Sequence, residues 1–238
     1  MTIVCELLPG KLVTLDDRTA QLGGGFWYEP LRVYDPNPLN FAYEQLSRVE
    51  NPILIDVGAS TGVFSLLAKF IPNLVVYAFE PVPLTYEVLD ENIRLNGLEE
   101  RAFTYPYAVS EKIGMDVLHV VDPPEQSALS IVGGIPTNYK TFHDLPINII
   151  DIDTFCREKG ITPTLIKIDT EGHELAVLHG AHETLLAHAP TLIVEYEPIN
   201  TAQYGYNPDE MEKWIVQFGY SLSRPFGPDL FCVYGDKQ

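Results

Sequence analysis

From residue 53 onward, short aliphatic runs alternate with segments whose apolar residues recur at helical spacing, and this alternation limits what the chain can fold into. It predicts a mostly parallel sheet with helices on both faces, because parallel neighbours need a crossover and each crossover covers a face. ILIDV (53–57) opens the series as a strand and VFSLLAKF (63–70) reads as the first helix. LVVYAFEP (74–81) is the second strand, followed by the helix PLTYEVLDENIRLNG (83–97), closed by Asn96-Gly97. AFTYPYAV (102–109) reads as the third strand, and MDVLHVV (115–121) and INIID (147–151) as additional strands at an edge. TLIKID (164–169) is a buried strand, HELAVLHGAHETLLAHA (173–189) a helix with Leu175, Leu178, Ala181 and Leu185 on one stripe, and TLIVEYE (191–197) a strand. The last helix has the clearest signature. Asn207 is its N-cap, Pro208 its first residue and Glu210 the partner in a capping box, and Met211, Trp214, Ile215 and Phe218 then follow at i, i+3, i+4 and i+7. YSLSRP and LFCVYGD form a terminal antiparallel pair.

Two segments stand outside the alternation. Residues 1–50 hold short strand-like pieces and the aromatic, turn-rich GGGFWYEPLRVYDPNPLN, and read as an N-terminal arm or cap on a domain spanning 51–238. Residues 122–146 are long, polar and rich in Pro and Gly, a composition suited to a substrate-side loop. Trp27, Tyr28, Tyr34, Tyr139 and Phe142 are candidates for stacking on a sugar face, or for packing over the sheet. The arm is also the candidate for a homodimer contact.

Thirty-three acidic against fifteen basic residues leave a net charge of −18. Nucleic-acid affinity rests on neutralising phosphates, so DNA and RNA are not expected as partners, nor are anionic membranes. No apolar run reaches the length of a membrane span, and the N-terminus has no basic stretch followed by an apolar core, so neither membrane insertion nor secretion is expected. Cys5, Cys156 and Cys232 form no CxxC pair and are odd in number, which suits a reducing, cytoplasmic setting with all three as buried small hydrophobes.

The chemistry concentrates at DVGASTG, residues 56–62, between the first strand and the first helix. Small residues at such a turn let a ligand approach the backbone beyond the carboxyl ends of the strands. A dinucleotide site wants G-x-G-x-x-G, its second glycine touching the pyrophosphate; Ser60 stands in that place and no basic residue is near. D-x-G-x-x-x-G with Glu80 eighteen residues further on suits a ligand with one ribose and no phosphate. Glu80 would accept hydrogen bonds from both ribose hydroxyls, and Gly58 would leave room for an amino-acid tail. S-adenosylmethionine has these features, and its two cationic groups favour an acidic site. Asp169 and Glu171 end the 164–169 strand, and Glu195 and Glu197 lie at the same level on the next, so acids gather at one sheet edge.

DVGASTGVFSLLA, YAFEPVP, IDIDTF, LIKIDTEGHELAVLHGA and TLIVEYEP, in this order, resemble the FkbM family of S-adenosylmethionine-dependent methyltransferases over roughly residues 50–200. Ser60-Thr61 and Thr170 depart mildly from the residues the family often carries there. The resemblance implies the class I methyltransferase fold, a Rossmann-like three-layer α/β sandwich with a mostly parallel seven-stranded sheet and an antiparallel C-terminal hairpin. It also implies O-methylation of a hydroxyl on a sugar, glycan or other natural product. The cofactor-binding set is then Asp56, Gly58, Ala59, Ser60, Thr61, Gly62, Glu80, Pro81 and Ala108.

Methyl transfer to a hydroxyl needs in-line alignment, exclusion of water and a base for the hydroxyl proton. Asp169 is the first candidate base, with Glu171 and His173 following at two-residue steps. Lys167, in an otherwise apolar strand, is either neutralised by Asp169, Asp151 or Glu195, or contacts the acceptor or takes its proton. Asp169, Glu171, His173 and Glu195 would suit magnesium or manganese in a metal-assisted variant acting on a small diol, although the family resemblance calls for no metal. His179, His182 and His188 are not at zinc spacing and read as surface or packing residues. A nicotinamide-dependent oxidoreductase or epimerase would need a glycine at Ser60 and a Y-x-x-x-K pair in context. A non-catalytic binding module would be favoured by loss of Gly58 or Glu80, and both are present.

Overall fold

The computed structural model describes residues 1–20, 22, 26–27, 32–33, 36–121, 142–225 and 227–235. The chain begins with β1 (Thr2–Leu8) and β2 (Lys11–Asp16), a 3-10 turn at Asp17–Ala20, the short strands β3 (Phe26–Trp27) and β4 (Arg32–Val33), and α1 (Pro36–Ser47). The alternating part then runs β5 (Ile53–Val57), a 3-10 helix at Ser65–Lys69, β6 (Val75–Phe79), α2 (Pro83–Leu95), β7 (Ala102–Tyr105), β8 (Tyr107–Val109), β9 (Gly114–Val121), β10 (Phe142–Ile150) and α3 (Ile152–Lys159). It closes with β11 (Leu165–Ile168), α4 (Glu174–His179), α5 (His182–His188), β12 (Thr191–Glu195), α6 (Pro198–Ala202), α7 (Pro208–Val216), β13 (Tyr220–Ser223) and β14 (Asp229–Tyr234).

Seven strands form the central sheet in the order β13-β14-β12-β11-β5-β6-β7. β12, β11, β5, β6 and β7 are mutually parallel, and β14 runs antiparallel to both of its neighbours. Successive residues of the inner strands feed opposite faces, which is why ILIDV and TLIKID are mainly apolar instead of alternating. Leu54, Val76, Leu165 and Ile193 join the core beneath β1, β2, α1 and α2, to which the N-terminal segment contributes Cys5, Leu7, Val13, Leu15, Leu39 and Leu46. Ile55, Ile166, Leu192 and Val194 join the opposite core with Phe155, Leu178, Leu185, Met211 and Ile215 of the covering helices. All three cysteines are free and buried. Among the described residues no helix is long and apolar enough to cross a membrane.

Four expectations are corrected. The first helix does not start at residue 63: Ser60 and Gly62 take left-handed backbone (φ 50 and 97), so the chain turns through residue 64 and only the 3-10 helix at Ser65–Lys69 follows. The 102–109 strand is two strands, because Pro106 has no N–H to continue the ladder; β7 stays on the central sheet and β8 pairs with β10. The strands expected at an edge form their own three-stranded sheet, β8-β10-β9, and β10 extends back to Phe142, into the segment read as a loop. The rest of that segment, 122–141, lies outside the described residues. The helix over 173–189 is broken at Gly180, where a Cβ would stand 2.1 Å from the carbonyl oxygen of Ser110. There the Gly180 carbonyl accepts from Asp153 N at 2.9 Å, and the Asp153 carboxylate caps the second piece by accepting from Glu183 N and Thr184 N at 2.9 and 2.8 Å. α1, α3 and α6 were not foreseen. The last helix is as read, with its capping box at Asn207 and Glu210 and Pro208 at its start.

Candidate active site

The glycine turn after β5 is held by the protein's own groups. Its N–H groups point inward: Ala59 N donates to Phe79 O at 2.9 Å, Gly62 N to Ala59 O at 2.9 Å, and Ser60 N to Glu80 Oε2 at 3.0 Å. Gly58 has φ +66, and a Cβ there would stand 1.8 Å from the carbonyl oxygen of Asp169. The close approach that demands this glycine is therefore made by the backbone after β11, where the sequence suggested room for a ligand tail. Asp56 is fully buried beneath the turn. Its Oδ2 accepts from the Ser65 hydroxyl at 2.7 Å, whereas Oδ1 is the buried side-chain atom left without a hydrogen bond among the described residues. Burial pushes its pKa up, against the pull of Lys167 and the Ser65 hydroxyl.

Glu80, just past the end of β6, is also buried, with Oε1 accepting from Val82 N at 2.9 Å. Burial pushes its pKa up to about 7, and the two backbone N–H groups hold it from rising further. Of the residues assigned to the cofactor, Gly58, Ser60 and Pro81 are partly exposed, while Ala59, Thr61 and Gly62 are buried. Ala108 sits in the core of the small sheet with Val82, Leu118 and Ile147. Asn92, which the sequence reading missed, fastens the turn to the rest: its side chain donates to Thr61 O at 2.8 Å and Thr19 Oγ at 3.0 Å, and accepts from Asp16 N at 2.7 Å. An asparagine buried on the inner face of an amphipathic helix was the available signal.

Beyond β11, Asp169, Glu171 and Glu195 come together, each offering a carboxylate oxygen within 4.8 Å of the others. Asn200, also unforeseen, donates to Glu171 Oε2 at 2.7 Å and reaches Glu195 at 3.4 Å. Burial and the charges of Asp169 and Glu174 push the Glu171 carboxyl up to about 8; burial with Asp169 and Glu171 pushes Glu195 up to about 10. Glu171 takes a left-handed backbone (φ 56), held because Glu174 Oε1 accepts from Thr170 N, Thr170 Oγ and Gly172 N at 2.9–3.0 Å. Glu174 is thus a buried pin inside the TEGHE segment. Glu197, expected at the same level, instead caps α6, with its side chain accepting from Ile199 N at 3.3 Å.

His173 does not join these acids. It lies across the turn, its Nε2 2.9 Å from Ser110 Oγ and its ring 5.4 Å from that of Tyr204. Burial pushes its pKa down to about 4, so the imidazole is neutral at pH 7. A cavity of about 420 Å³ opens there, lined by Ser110, Lys112, His173, Gln203, Tyr204 and Tyr206 among others. Lys167 is buried and donates to Gly58 O at 2.8 Å, with Asp169 Oδ2 at 3.3 Å and Asp56 Oδ1 at 3.8 Å. Asp151, one of its expected partners, caps α3 by accepting from Thr154 N at 2.6 Å. His179 pairs with Glu111 and packs on Trp214, and His182 packs on Trp214 and Phe218. Tyr28, Tyr34 and Tyr139 lie outside the described residues, and at Trp27 and Phe142 only the strand backbone is described.

A glycine turn at the end of the first parallel strand, an acid closing the next, and a sheet finished by one antiparallel strand define a class I methyltransferase fold. Solved structures agree. A methyltransferase FkbM from Methylobacillus flagellatus KT superposes with a TM-score of 0.54 at 19% identity, over 76% of this chain and 43% of that one. A Staphylococcus aureus protein provisionally assigned as a caffeoyl-CoA O-methyltransferase superposes at 0.53 with 11% identity, over 84% of each chain. At such identities the likeness concerns the fold. Residues 56–222 match the methyltransferase FkbM domain, and the chain belongs to that family. The methyltransferase sdnD of Sordaria araneosa is 26% identical over 223 residues, covering 80% of this chain and 83% of that protein.

Proposed function

We propose that this protein transfers a methyl group from S-adenosylmethionine to a hydroxyl of a sugar, glycan or other natural-product acceptor. The observation that carries the cofactor is the direction of the turn's donors. With Ala59, Ser60 and Gly62 N–H groups all engaged by protein oxygens, the turn offers little to a pyrophosphate. The cation beside it, Lys167, is itself buried against Gly58, Asp56 and Asp169. Glu80 keeps a second lone pair on each oxygen for a ribose diol. Such a donor set fits a nucleoside that carries positive charge and no phosphate, and it speaks against the nicotinamide-dependent alternative.

When bound, that cofactor supplies an activated methyl group with a neutral thioether as leaving group. The chain's own residues have the remaining tasks. Asp169, its side chain 41% exposed beside Lys167, is assigned as the acceptor of the hydroxyl proton. Burial and neighbouring acids push the Glu171 and Glu195 carboxyls up, which favours their protonated forms as hydrogen-bond donors to acceptor oxygens, while Asn200 fixes their orientation. The cavity beside His173, lined by Gly172 and Tyr204 but by no residue of the glycine turn, would give a bulky acceptor room on the far side of the 170–173 segment. Calorimetry with S-adenosylmethionine and NAD, followed by an acceptor screen for a gain of about 14 Da, tests the reading. Asp169→Asn should leave cofactor affinity within about twofold and lower turnover by at least ~100-fold. Binding of NAD alone would refute the assignment.

A second reading, metal assistance on a vicinal diol, is favoured by one observation: Asp169, Glu171 and Glu195 present oxygens at a spacing that suits a hard divalent cation. Activity that survives exhaustive chelation and does not respond to added magnesium or manganese would exclude it.

A further inference from the structure

Lys167 is the buried cation at the centre of the site, and its contacts go to three different elements. Its shortest bond, 2.8 Å, is to the carbonyl oxygen of Gly58 at the near end of the glycine turn. Asp169 at the mouth of β11 lies at 3.3 Å, and Asp56 on β5 at 3.8 Å. A lysine placed only to neutralise Asp56 would approach that carboxylate within hydrogen-bond distance. Instead Asp56 Oδ1 is left bare in the interior while the ammonium points at the turn's backbone. The other oxygen of Asp56 accepts from Ser65 at 2.7 Å, and Ser65 opens the 3-10 helix that leaves the turn. One buried ion pair therefore grips the turn at both ends, Lys167 at its start and Asp56 at its exit.

We infer that Lys167 is a positioning residue which couples the cofactor turn to the acid that receives the acceptor's proton. With the Gly58 carbonyl drawn inward, the next N–H groups fall on Phe79 O and Glu80 Oε2, so the same bond places Ser60 against the ribose-binding carboxylate. The remaining charge of the ammonium holds the side chain of Asp169, whose own carbonyl closes over Gly58. The cofactor seat and the base then move as one unit. Lys167 is buried with its ammonium directed at Gly58, Asp169 and Asp56, so the role inferred is positioning, in place of the acceptor contact weighed on the sequence. The coupling rests on the methyl-transfer reading; the grip on the turn does not.

Removing Lys167 alone leaves Asp56 as an unpaired buried charge, so the informative variant is the charge-balanced pair Lys167→Met with Asp56→Asn, compared with Asp56→Asn alone. The comparison isolates the bonds from Lys167 to Gly58 and Asp169. Hydrogen exchange on the folded protein without cofactor should show the amides of Ala59 and Ser60 exchanging at least about tenfold faster in the pair than in the single variant, with amides of α7 unchanged. Calorimetry with S-adenosylmethionine should show affinity at least about tenfold weaker in the pair. A pair that matches the single variant in both measurements overturns the inference, and Lys167 is then packing alone. If the wild-type protein fails to bind S-adenosylmethionine, the methyl-transfer reading falls, and the exchange data still decide whether Lys167 grips the turn.

Discussion

Gly58→Ala separates two reasons for a glycine at the head of the turn. If the residue leaves space for a ligand, the variant folds normally and loses only affinity. The structure gives a different expectation. The position has φ +66, which burdens a residue with a side chain by about 1–2 kcal/mol. The added methyl would also stand 1.8 Å from Asp169 O and 2.9 Å from Asp169 C, both backbone atoms. That backbone cannot yield easily, because Asp169 N is bonded to Val57 O and β11 is paired to β5 through four registered positions. Overpacking of this kind costs about 1–3 kcal/mol, so the total is about 2–5 kcal/mol, a large part of the ~5–15 kcal/mol available to a domain. At roughly 2–4 °C per kcal/mol for a chain of this size, Tm should fall by about 4–20 °C in differential scanning calorimetry. Gly97→Ala is the internal control: it has the same φ of +66 with nothing within 4 Å, so it carries the backbone share alone, about 1–2 kcal/mol. A Gly58→Ala variant no less stable than Gly97→Ala would refute the close-approach argument.

Two further outcomes follow from buried groups. Glu80 ionises near pH 7 in the folded protein and near 4.5 when unfolded, so between those values the folded state binds the extra proton and stability falls as pH rises. Glu80→Gln removes that loss, and urea titrations from pH 4.5 to 8 should show the variant gaining on the wild type by ~3 kcal/mol across the window; parallel curves would contradict the assignment. Asn92→Ala strands the Thr61 carbonyl, the Thr19 hydroxyl and the Asp16 N–H, and should destabilise by about 3 kcal/mol in denaturant unfolding, against no more than ~0.5 kcal/mol if the asparagine merely sits on a surface.

Much was legible because local chemistry and global fold agree. The mainly apolar runs at 53–57 and 164–168, each interrupted by one charge, read as strands buried on both faces, and Asn207-Pro208 with Glu210 fixed the start of α7 by side-chain bonds that span a single helical turn. Acids at strand ends could be placed at one sheet edge by counting. The side each of them faces could not. His173 and Glu171 are two residues apart, yet one meets Ser110 and the other Asn200, because a left-handed residue at 171 and the Glu174 pin turn the chain between them. Likewise Gly180 looks like any helical glycine until Ser110 arrives from seventy residues away, so close that a Cβ at 180 would stand 2.1 Å from its carbonyl oxygen.

The sequence alone determined the alternation of the central parallel strands with covering helices, the capped last helix and the family, since periodicity and short motifs are read within a few consecutive residues. Only the tertiary structure decided that Lys167, besides pairing with Asp169, bonds the Gly58 carbonyl, and that Gly58 yields space to Asp169. Those are distances between segments more than one hundred residues apart, set by how the strands pack and not by any local preference.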